Sequence, residues 1–344
     1  MPKIDDVAKK AGVSLGTVSN VLNNPDKVKP ATRDHVLQVI TEMGFSPNLS
    51  ARNLSRLKTD TIALIYPFTK RSRTEKYYSD FLAGVTESCF QANYKLMLSS
   101  YPYDNMSEQE KLQSCVQLID SRAVDGIIVT RPEVDDSIIQ LLSNKKQKFV
   151  VLGRSNLPLH FPWVDIDGAL GMREAVRYLS NLGHKRIAYV GTSGNFMFSH
   201  HRFEGYREGL EDAGIDFDGK LVIWARTDED EIQTGTKALL EFMKLNDPPK
   251  AVIAAGSQLA LGVVGGVQKY GYELGEDVSV ICFDDDEWNA HYNPPITSIR
   301  QPLVEAGRLV VKCLIEAIEG NEPKENHVLL NPELIIRESC KKFV

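Results

Sequence analysis

The chain has 344 residues, more than one hydrophobic core usually contains, so we expect two or three domains. Its 42% hydrophobic and 25% charged residues are typical of a globular protein and exclude a disordered or collagen-like chain. The net charge of −6 excludes a uniformly basic nucleic-acid-binding surface. The charge is nevertheless uneven: residues 1–60 hold nine Lys/Arg and six Asp/Glu, net +3, and the other 284 hold 31 and 40, net −9. A basic N-terminal segment followed by an acidic remainder suits a chain in which only the N-terminal segment binds the phosphates of a nucleic acid.

The sequence predicts a cytoplasmic protein without a membrane span. No apolar run typical of a signal peptide follows Met1. The uncharged stretch 251–268 reaches the lower length limit of a membrane helix. Its four glycines and its polar residues favour a buried strand, a loop and a helix that begins near Gln258. The five cysteines form no C-x-x-C pair and are odd in number, which suits reduced thiols.

The first 44 residues have the pattern of three short helices. Apolar residues recur at i, i+3, i+4 and i+7 in Ile4–Ala11, Gly12 permits a tight turn, and Ser14 is a good N-cap for a second helix. Pro30 suits the first turn of a third helix, which Gly44 ends. The third helix would bury four apolar side chains: Val36, Leu37, Ile40 and Met43. Two short helices joined by a turn that contains glycine make a helix-turn-helix.

The second of these helices presents residues that suit DNA. In a helix-turn-helix the N-terminal residues of the second helix meet base edges in the major groove. Asn20 has the amide that pairs with adenine, Leu15 has the apolar surface that meets a thymine methyl group, and hydroxyls and N-terminal amides hold phosphates. The predicted DNA contacts of residues 1–45 are Lys3, Ser14, Leu15, Gly16, Thr17, Ser19 and Asn20. The alternative is a small helical bundle that packs against its own body.

Several runs in this segment resemble the head of the LacI/GalR family of bacterial transcription regulators. They are Asp6–Ser14 (DVAKKAGVS), Thr17–Asn23 (TVSNVLN), Thr32-Arg33 and Gly44–Asn48 (GFSPN). The resemblance implies that residues 46–59 hold a hinge helix, which orders on DNA beside the copy from a second chain.

In this hinge helix Asn48, Ala51 and Leu54 would contact DNA, and Leu54 would enter the minor groove between base pairs. An apolar side chain at that place unstacks a base step and kinks the duplex. Two helical turns are too few to be stable alone in water, so a polar linker is the alternative interpretation.

From Thr61 onward, short apolar strands alternate with amphipathic segments of helix length, which predicts an α/β fold with doubly wound parallel sheets. The predicted strands are 62–66, 95–99, 126–130, 149–152, 186–191, 221–225, 251–255 and 278–283. The predicted helices are 78–92, 107–122, 169–182, 202–213, 230–245 and 259–270. The resemblance implies two lobes like those of periplasmic sugar-binding proteins, joined by three crossovers. We place the effector-binding and dimerisation domain at 60–340, with lobes of about 60–160 plus 293–324 and 162–290 plus 325–340.

Open α/β sheets bind ligands beyond the carboxyl ends of their strands, so residues that follow predicted strands are candidates for an effector site. These candidates are Thr130, Arg131, Arg154, Ser257 and Asp284. The resemblance places Arg202 and Asp284 at effector-binding positions. A guanidinium and a carboxylate complement adjacent sugar hydroxyls or a nucleobase edge, although a salt bridge between the two residues is the alternative.

Other residues near these strand ends complicate the choice of effector. Gly256-Ser257 stands where many sugar-responsive members carry Asn-Asp, so no sugar identity can be carried over. Arg131 and Arg154 would suit an anionic ligand if they face the cleft. Asp165, Asp167 and His184 also fit the family but are interpreted as structural.

No constellation for catalysis, metal binding or a cofactor is visible. Asp284–Asp286 lacks His or Glu partners at ligand spacing, and the chain has neither a Gly-rich phosphate loop nor a G-x-S-x-G motif. The sequence predicts a homodimeric transcription regulator and repressor that binds double-stranded operator DNA. A small-molecule effector would control it, with a carbohydrate as the first choice and a nucleobase as the second. Without a C-terminal leucine heptad, a dimer is favoured over a tetramer. A small-molecule receptor without DNA function is the alternative.

Overall fold

The computed structural model describes residues 2–45, 58–68, 76–102, 106–226, 229–321 and 326–342. The chain divides into two compact units, Met1–Thr59 and Asp60–Val344. Each unit has its own hydrophobic core.

The first unit is the predicted three-helix domain. Its helices are α1 (Ile4–Ala11), α2 (Leu15–Asn23) and α3 (Pro30–Met43), with a 3₁₀ turn at Pro25–Lys27. Gly12 ends α1 with a φ of 64°, a left-handed conformation that glycine adopts without a steric penalty. This turn leads directly to Ser14, the N-cap of α2.

The core of this unit differs from the prediction at one position of α3. Leu37 is 42% exposed, whereas Val39 is buried. The inward stripe therefore runs through Val36, Val39, Ile40 and Met43. These positions follow the i, i+3, i+4, i+7 spacing, and Leu37 lies about 100° away from the first of them.

The second unit alternates strands and helices. Its helices are α4 (Lys76–Gln91), α5 (Glu108–Asp120), α6 (Ser137–Asn144), α7 (Gly168–Asn181), α8 (Met197–Asp212), α9 (Glu231–Met243), α10 (Ser257–Lys269), α11 (Glu287–His291) and α12 (Leu303–Ile318). Its strands are β1 (Thr61–Phe68), β2 (Lys95–Pro102), β3 (Gly126–Thr130), β4 (Phe149–Leu152), β5 (Trp163–Ile166), β6 (Ile187–Gly191), β7 (Val222–Trp224), β8 (Ala251–Ala254), β9 (Ser279–Phe283), β10 (Thr297–Arg300), β11 (His327–Leu330) and β12 (Glu333–Ile335).

The strands form two sheets, one in each lobe. The order in lobe one is β11-β5-β4-β3-β1-β2 and in lobe two β12-β10-β9-β8-β6-β7. All neighbouring strands are parallel except β12, which pairs antiparallel with β10. Apolar clusters cover both faces of each sheet, as parallel sheets require. The predicted doubly wound α/β architecture is thereby confirmed.

The lobe boundaries differ from those predicted, because the chain crosses between the lobes at other points. The crossovers follow β5, β10 and β11. Strands β5 and β11 therefore belong to lobe one and β10 to lobe two, each opposite to the expectation. These strands have only four residues, and β11 is half exposed, so they carry little of the apolar pattern that reveals a strand.

The stretch 251–268 forms β8, a short loop and all of α10 except its last residue, as interpreted from the sequence. Within the described residues no helix is both long and apolar enough to cross a bilayer. All five cysteines are buried free thiols.

Candidate functional site

The N-terminal end of α2 is a capped helix start on the surface of the first unit. The Ser14 hydroxyl accepts a hydrogen bond from the Thr17 backbone N–H at 3.1 Å, and the two hydroxyl oxygens lie 2.9 Å apart. Val18 and Val21 point into the core, which fixes the direction of the opposite side. A helix N-terminus carries partial positive charge, and its first N–H groups have no acceptor within the helix; both features favour phosphate.

The predicted DNA-contact residues of α2 lie on this outward side. Leu15 is 47% exposed, so it is not a core residue, and Gly16 and Asn20 are also exposed. Thr17 and Ser19 are half-buried. Lys3 precedes α1 with an exposed side chain, while its backbone N–H donates to Asp6 Oδ2 at 2.8 Å. Asn48, Ala51 and Leu54 lie outside the described residues.

Replacing Ser14 with alanine is expected to destabilise α2 by about 1 kcal/mol, since the Thr17 N–H loses its acceptor. Hydrogen exchange of the peptide 15–23 in the full chain should become faster. Ser14→Asp keeps a cap acceptor and should exchange like the wild type. Equal exchange in the alanine variant would show that the cap does not stabilise this helix.

A cavity lies in the second unit, between the carboxyl ends of the strands of the two sheets. Lobe one contributes Arg131 after β3, Arg154 after β4 and Asp165 in β5. Lobe two contributes Arg202 from α8 and Asp284 after β9. Four aromatic side chains share the walls: Tyr77, Tyr78, Phe198 and Phe283. Such a combination of apolar walls and a few convergent polar groups is typical of a small-molecule site.

Arg202 is 5% exposed and is held by several groups of lobe two. Its guanidinium carbon lies 3.6 Å from the Phe283 ring centroid and 4.8 Å from that of Phe198. Its Nη1 donates to the Ala255 carbonyl at 2.7 Å. Gly168 leaves the necessary space, because a Cβ there would lie 3.1 Å from Arg202 Cγ. The planar group is thus preorganised at the pocket wall.

Asp284 lies on the pocket wall with a φ of 83° and is 7% exposed. Its backbone N–H donates to the Ile299 carbonyl at 3.0 Å, and Gln301 Nε2 donates to its Oδ1. Gln301 also lines the pocket and lies on the crossover between β10 and α12. The Asp284 carboxylate is therefore positioned by the crossover.

Arg154 forms an ion pair inside the pocket. Its Nε donates to Asp165 Oδ2 at 2.8 Å, and Asp165 Oδ1 accepts the Ile166 backbone N–H, also at 2.8 Å. His201 Nδ1 lies 3.9 Å from the same Asp165 oxygen. Burial lowers the pKa of His201, and the Arg154 charge lowers it further. The Asp165 carboxylate neutralises the positive charge of Arg154, so this wall of the pocket offers little attraction to an anionic ligand.

Arg131 reaches across to lobe two instead of extending into solvent. Its Nη1 donates to the Tyr78 hydroxyl at 2.7 Å, and its guanidinium carbon lies 4.4 Å from the Phe196 ring centroid. The adjacent Tyr77 is half-buried, and burial raises the pKa of its phenol. Tyr77 therefore stays protonated at neutral pH and can donate a hydrogen bond to a ligand.

Two of the predicted effector residues do not line the pocket. The Thr130 hydroxyl donates to the Ile65 carbonyl of β1 at 3.3 Å, which directs it toward its own sheet. Ser257 is fully buried and donates to Asp286 Oδ2. The prediction that Thr130 and Ser257 belong to the effector pocket is therefore wrong, because their hydroxyls bond to other groups of the protein.

Sequence reasoning also missed residues of the pocket. Asp165, which the sequence pattern indicates as structural, lines the pocket and pairs with Arg154. Asp167 is structural as interpreted, since it caps α7 through the Leu170 N–H at 3.0 Å. Other pocket residues that were not predicted include Tyr77, Tyr78, Phe198, His201, Phe283 and Gln301. None of these residues directly follows a predicted strand, so the strand-end rule that selected Arg131 and Asp284 gave no signal for them.

A helix-turn-helix domain and a two-lobed domain with a cleft, in one chain, define a ligand-responsive DNA-binding regulator. Residues 3–48 match the family of bacterial regulatory proteins, lacI family. Residues 176–340 match the periplasmic binding protein-like domain.

Relatives with full-length similarity agree with this class. The chain is 32% identical to the HTH-type transcriptional regulator CelR of Thermobifida fusca, over 98% of both chains. It is 32% identical to the HTH-type transcriptional repressor CytR of Escherichia coli K12, over 98% of this chain and 95% of that one. The structure of a CelR–cellobiose complex matches at 31% identity with a TM-score of 0.74, covering 98% of this chain and 100% of the other. The chain belongs to the LacI family of bacterial transcription regulators.

Proposed function

We propose that this regulator is a homodimeric repressor whose binding to double-stranded operator DNA is controlled by a carbohydrate. The observation that carries the carbohydrate assignment is the placement of Arg202 and Asp284 on the wall of one cavity among aromatic rings. A guanidinium and a carboxylate pair with adjacent hydroxyls, and aromatic faces pack against the apolar face of a sugar ring. The CelR–cellobiose complex supports the same class of effector.

Three arginines and two aspartates line the pocket, so its charges nearly balance, which suits a neutral sugar. Asp165 opposes the charge of Arg154, and Asp284 adds a second carboxylate to the pocket. A ligand phosphate would be attracted by the arginines and repelled by both carboxylates, so this nearly balanced pocket offers it little net attraction. A nucleobase is the second candidate, since Phe198 and Tyr77 offer rings on which a flat ring can stack.

On the DNA side, the exposed residues of α2 are proposed to read the major groove, with Asn20 and Leu15 on bases. Lys3, Ser14, Gly16, Thr17 and Ser19 would lie against the phosphate backbone. Asn48, Ala51 and Leu54 remain proposed minor-groove contacts. Two copies in a two-fold dimer require half-sites about one helical turn apart, or a multiple of it, in an approximately palindromic operator. Chromosomal DNA as the partner makes the cytoplasm the proposed location.

Effector control follows from linkage between the two domains. A sugar that binds one arrangement of the lobes more tightly than the other shifts the population toward that arrangement. If the two arrangements differ in DNA affinity, the sugar changes operator binding by the same coupling free energy with which DNA changes sugar binding.

A gel shift with genomic fragments, combined with a thermal-shift screen, tests both halves of the proposal. We expect discrete fragments to be retarded in a salt-sensitive manner. A neutral mono- or disaccharide such as cellobiose should raise the melting temperature, because it binds only the native state. Stabilisation by sugar phosphates or nucleobases alone would reject the neutral carbohydrate. If the protein prefers no fragment over random competitor DNA, the proposal that it represses transcription from a specific operator is rejected.

A further inference from the structure

A hydrogen-bonded chain of side chains crosses between the lobes beside the effector pocket. Asp286 follows β9 of lobe two and is 6% exposed. Its Oδ1 accepts the backbone N–H of Lys76 at 3.0 Å, and Lys76 is the first residue of α4 in lobe one. A carboxylate of one lobe thereby satisfies an N–H at the helix start of the other lobe. Such N–H groups have no partner inside their own helix.

The orientation of Asp286 is fixed from within lobe two. The indole N–H of Trp288 donates to Ser257 Oγ at 3.1 Å, and the Ser257 hydroxyl donates to Asp286 Oδ2. The Ser257 hydroxyl has one proton, which it donates to Oδ2 of Asp286. Oδ1 is therefore available to accept the Lys76 backbone N–H. The buried position of Ser257, which sequence reasoning assigned to the effector, is explained by this role.

The contact lies where both lobes reach the pocket. Tyr77 and Tyr78 follow Lys76 directly and line the cavity, and Asp284 lines it two residues before Asp286. Any movement that opens the cleft between α4 and β9 must therefore break the bond between Lys76 and Asp286. Conversely, the bond keeps the tyrosines of lobe one opposite the carboxylate of lobe two.

We propose that Asp286 is a positioning residue: it bonds the start of α4 across the cleft and holds the two lobes in the closed arrangement that forms the effector pocket. The role of this contact in the effector response rests on the proposed function. The contact between the lobes itself does not depend on that function. A hydrogen bond to a charged group is expected to shift the balance between closed and open lobes about tenfold or more.

Lys76→Pro is the sharpest test, because proline removes the N–H donor and is favoured at the first position of a helix. Lys76→Ala is its matched control, since it removes the side chain, which pairs with Asp80 at 2.6 Å, but keeps the N–H. Asp286→Ala removes the acceptor from the other side. Its control is Asp230→Ala, because Asp230 caps α9 through the Gln233 N–H at 3.0 Å within lobe two alone.

The readout is the distance between the lobes, measured by electron spin resonance without effector. Nitroxide labels are attached to cysteines introduced in place of the exposed Asn144 of lobe one and Asn246 of lobe two. The native cysteines are buried and should not react with the label. Labelled protein is diluted with excess unlabelled protein so that distances within one chain dominate. We expect Lys76→Pro and Asp286→Ala to lengthen or broaden the distance distribution, and both controls to match the wild type.

A wild-type distribution in folded Lys76→Pro would overturn the proposal, and so would equal broadening in Lys76→Ala. A melting curve of each variant shows whether it is folded, and Asp286→Ala gives the same test from the other lobe if the proline variant is not. The distance measurement needs no sugar. If no carbohydrate stabilises the protein, the proposed function is rejected, but the distances still test the contact between the lobes. With cellobiose as the probe, Lys76→Pro should weaken binding about tenfold and Lys76→Ala should not.

Discussion

Arg202→Ala is expected to abolish the effector response while operator binding in the absence of effector stays within about twofold of the wild type. The buried guanidinium is stacked on Phe283 and hydrogen-bonded to the Ala255 carbonyl, so its orientation toward the pocket is set before a ligand arrives. Hydrogen bonds from a charged group contribute about 1.5–3 kcal/mol, which corresponds to an affinity loss of at least tenfold. Titration of the operator complex with the sugar from the thermal-shift screen measures the response.

Two further variants separate binding from a structural role. Arg202→Lys keeps the charge but loses the planar fork, and it should restore only part of the response. Arg207→Ala is the matched control on the same helix, because Arg207 is exposed and lies 5.2 Å above the Phe217 ring, away from the pocket. An unaltered response in Arg202→Ala would show that this arginine only supports the fold. A loss of operator binding without effector would indicate damage to the lobes.

Asn20→Ala is expected to weaken specific operator binding by about 1–3 kcal/mol in each half-site, the range for one bidentate contact to a base. Asn20 is exposed on α2, so its removal should leave the core of the domain intact. Binding to random DNA should change little, because phosphate contacts and their salt dependence are retained. Gel shifts with operator and with random competitor, over a range of salt concentrations, give both affinities.

Gln38→Ala provides the control for this loss. Gln38 also carries an exposed amide, but it lies on α3, where it donates to Glu42 at 3.1 Å. It should leave specific and non-specific binding unchanged. Equal losses of specific and non-specific affinity in Asn20→Ala would contradict base recognition and would assign Asn20 to the phosphate backbone.

The three helices of the first unit were predictable because their signals are local. Ser14 caps a helix through a residue three positions away, and Gly12 ends one through its own backbone angle. The error at Leu37 arose inside a correctly predicted helix, because Leu37 departs from the i, i+3, i+4, i+7 spacing that selects Val39 instead. The alternation of strands and helices likewise predicted the α/β class.

The pocket was predictable only in part. Arg131, Arg154 and Asp284 line it as expected, since residues beyond strand ends meet at one edge of a parallel sheet. Arg202 of α8 lines it as the family resemblance implied. Thr130 and Ser257 also lie at strand ends, but their hydroxyls have partners within the protein. Position after a strand brings a residue to the correct edge and does not decide in which direction its side chain points.

The sequence by itself determined the family, the helix-turn-helix and the α/β class, because these depend on contacts between residues a few positions apart and on the motif at the head of the chain. Only the tertiary structure decided which lobe holds each crossover strand, that Asp165 opposes the charge of Arg154, and that Asp286 bonds Lys76. Lys76 and Asp286 are 210 positions apart, and no periodicity or capping rule joins residues at that separation. Such pairs form only when two separately wound lobes are brought together at the carboxyl ends of their strands.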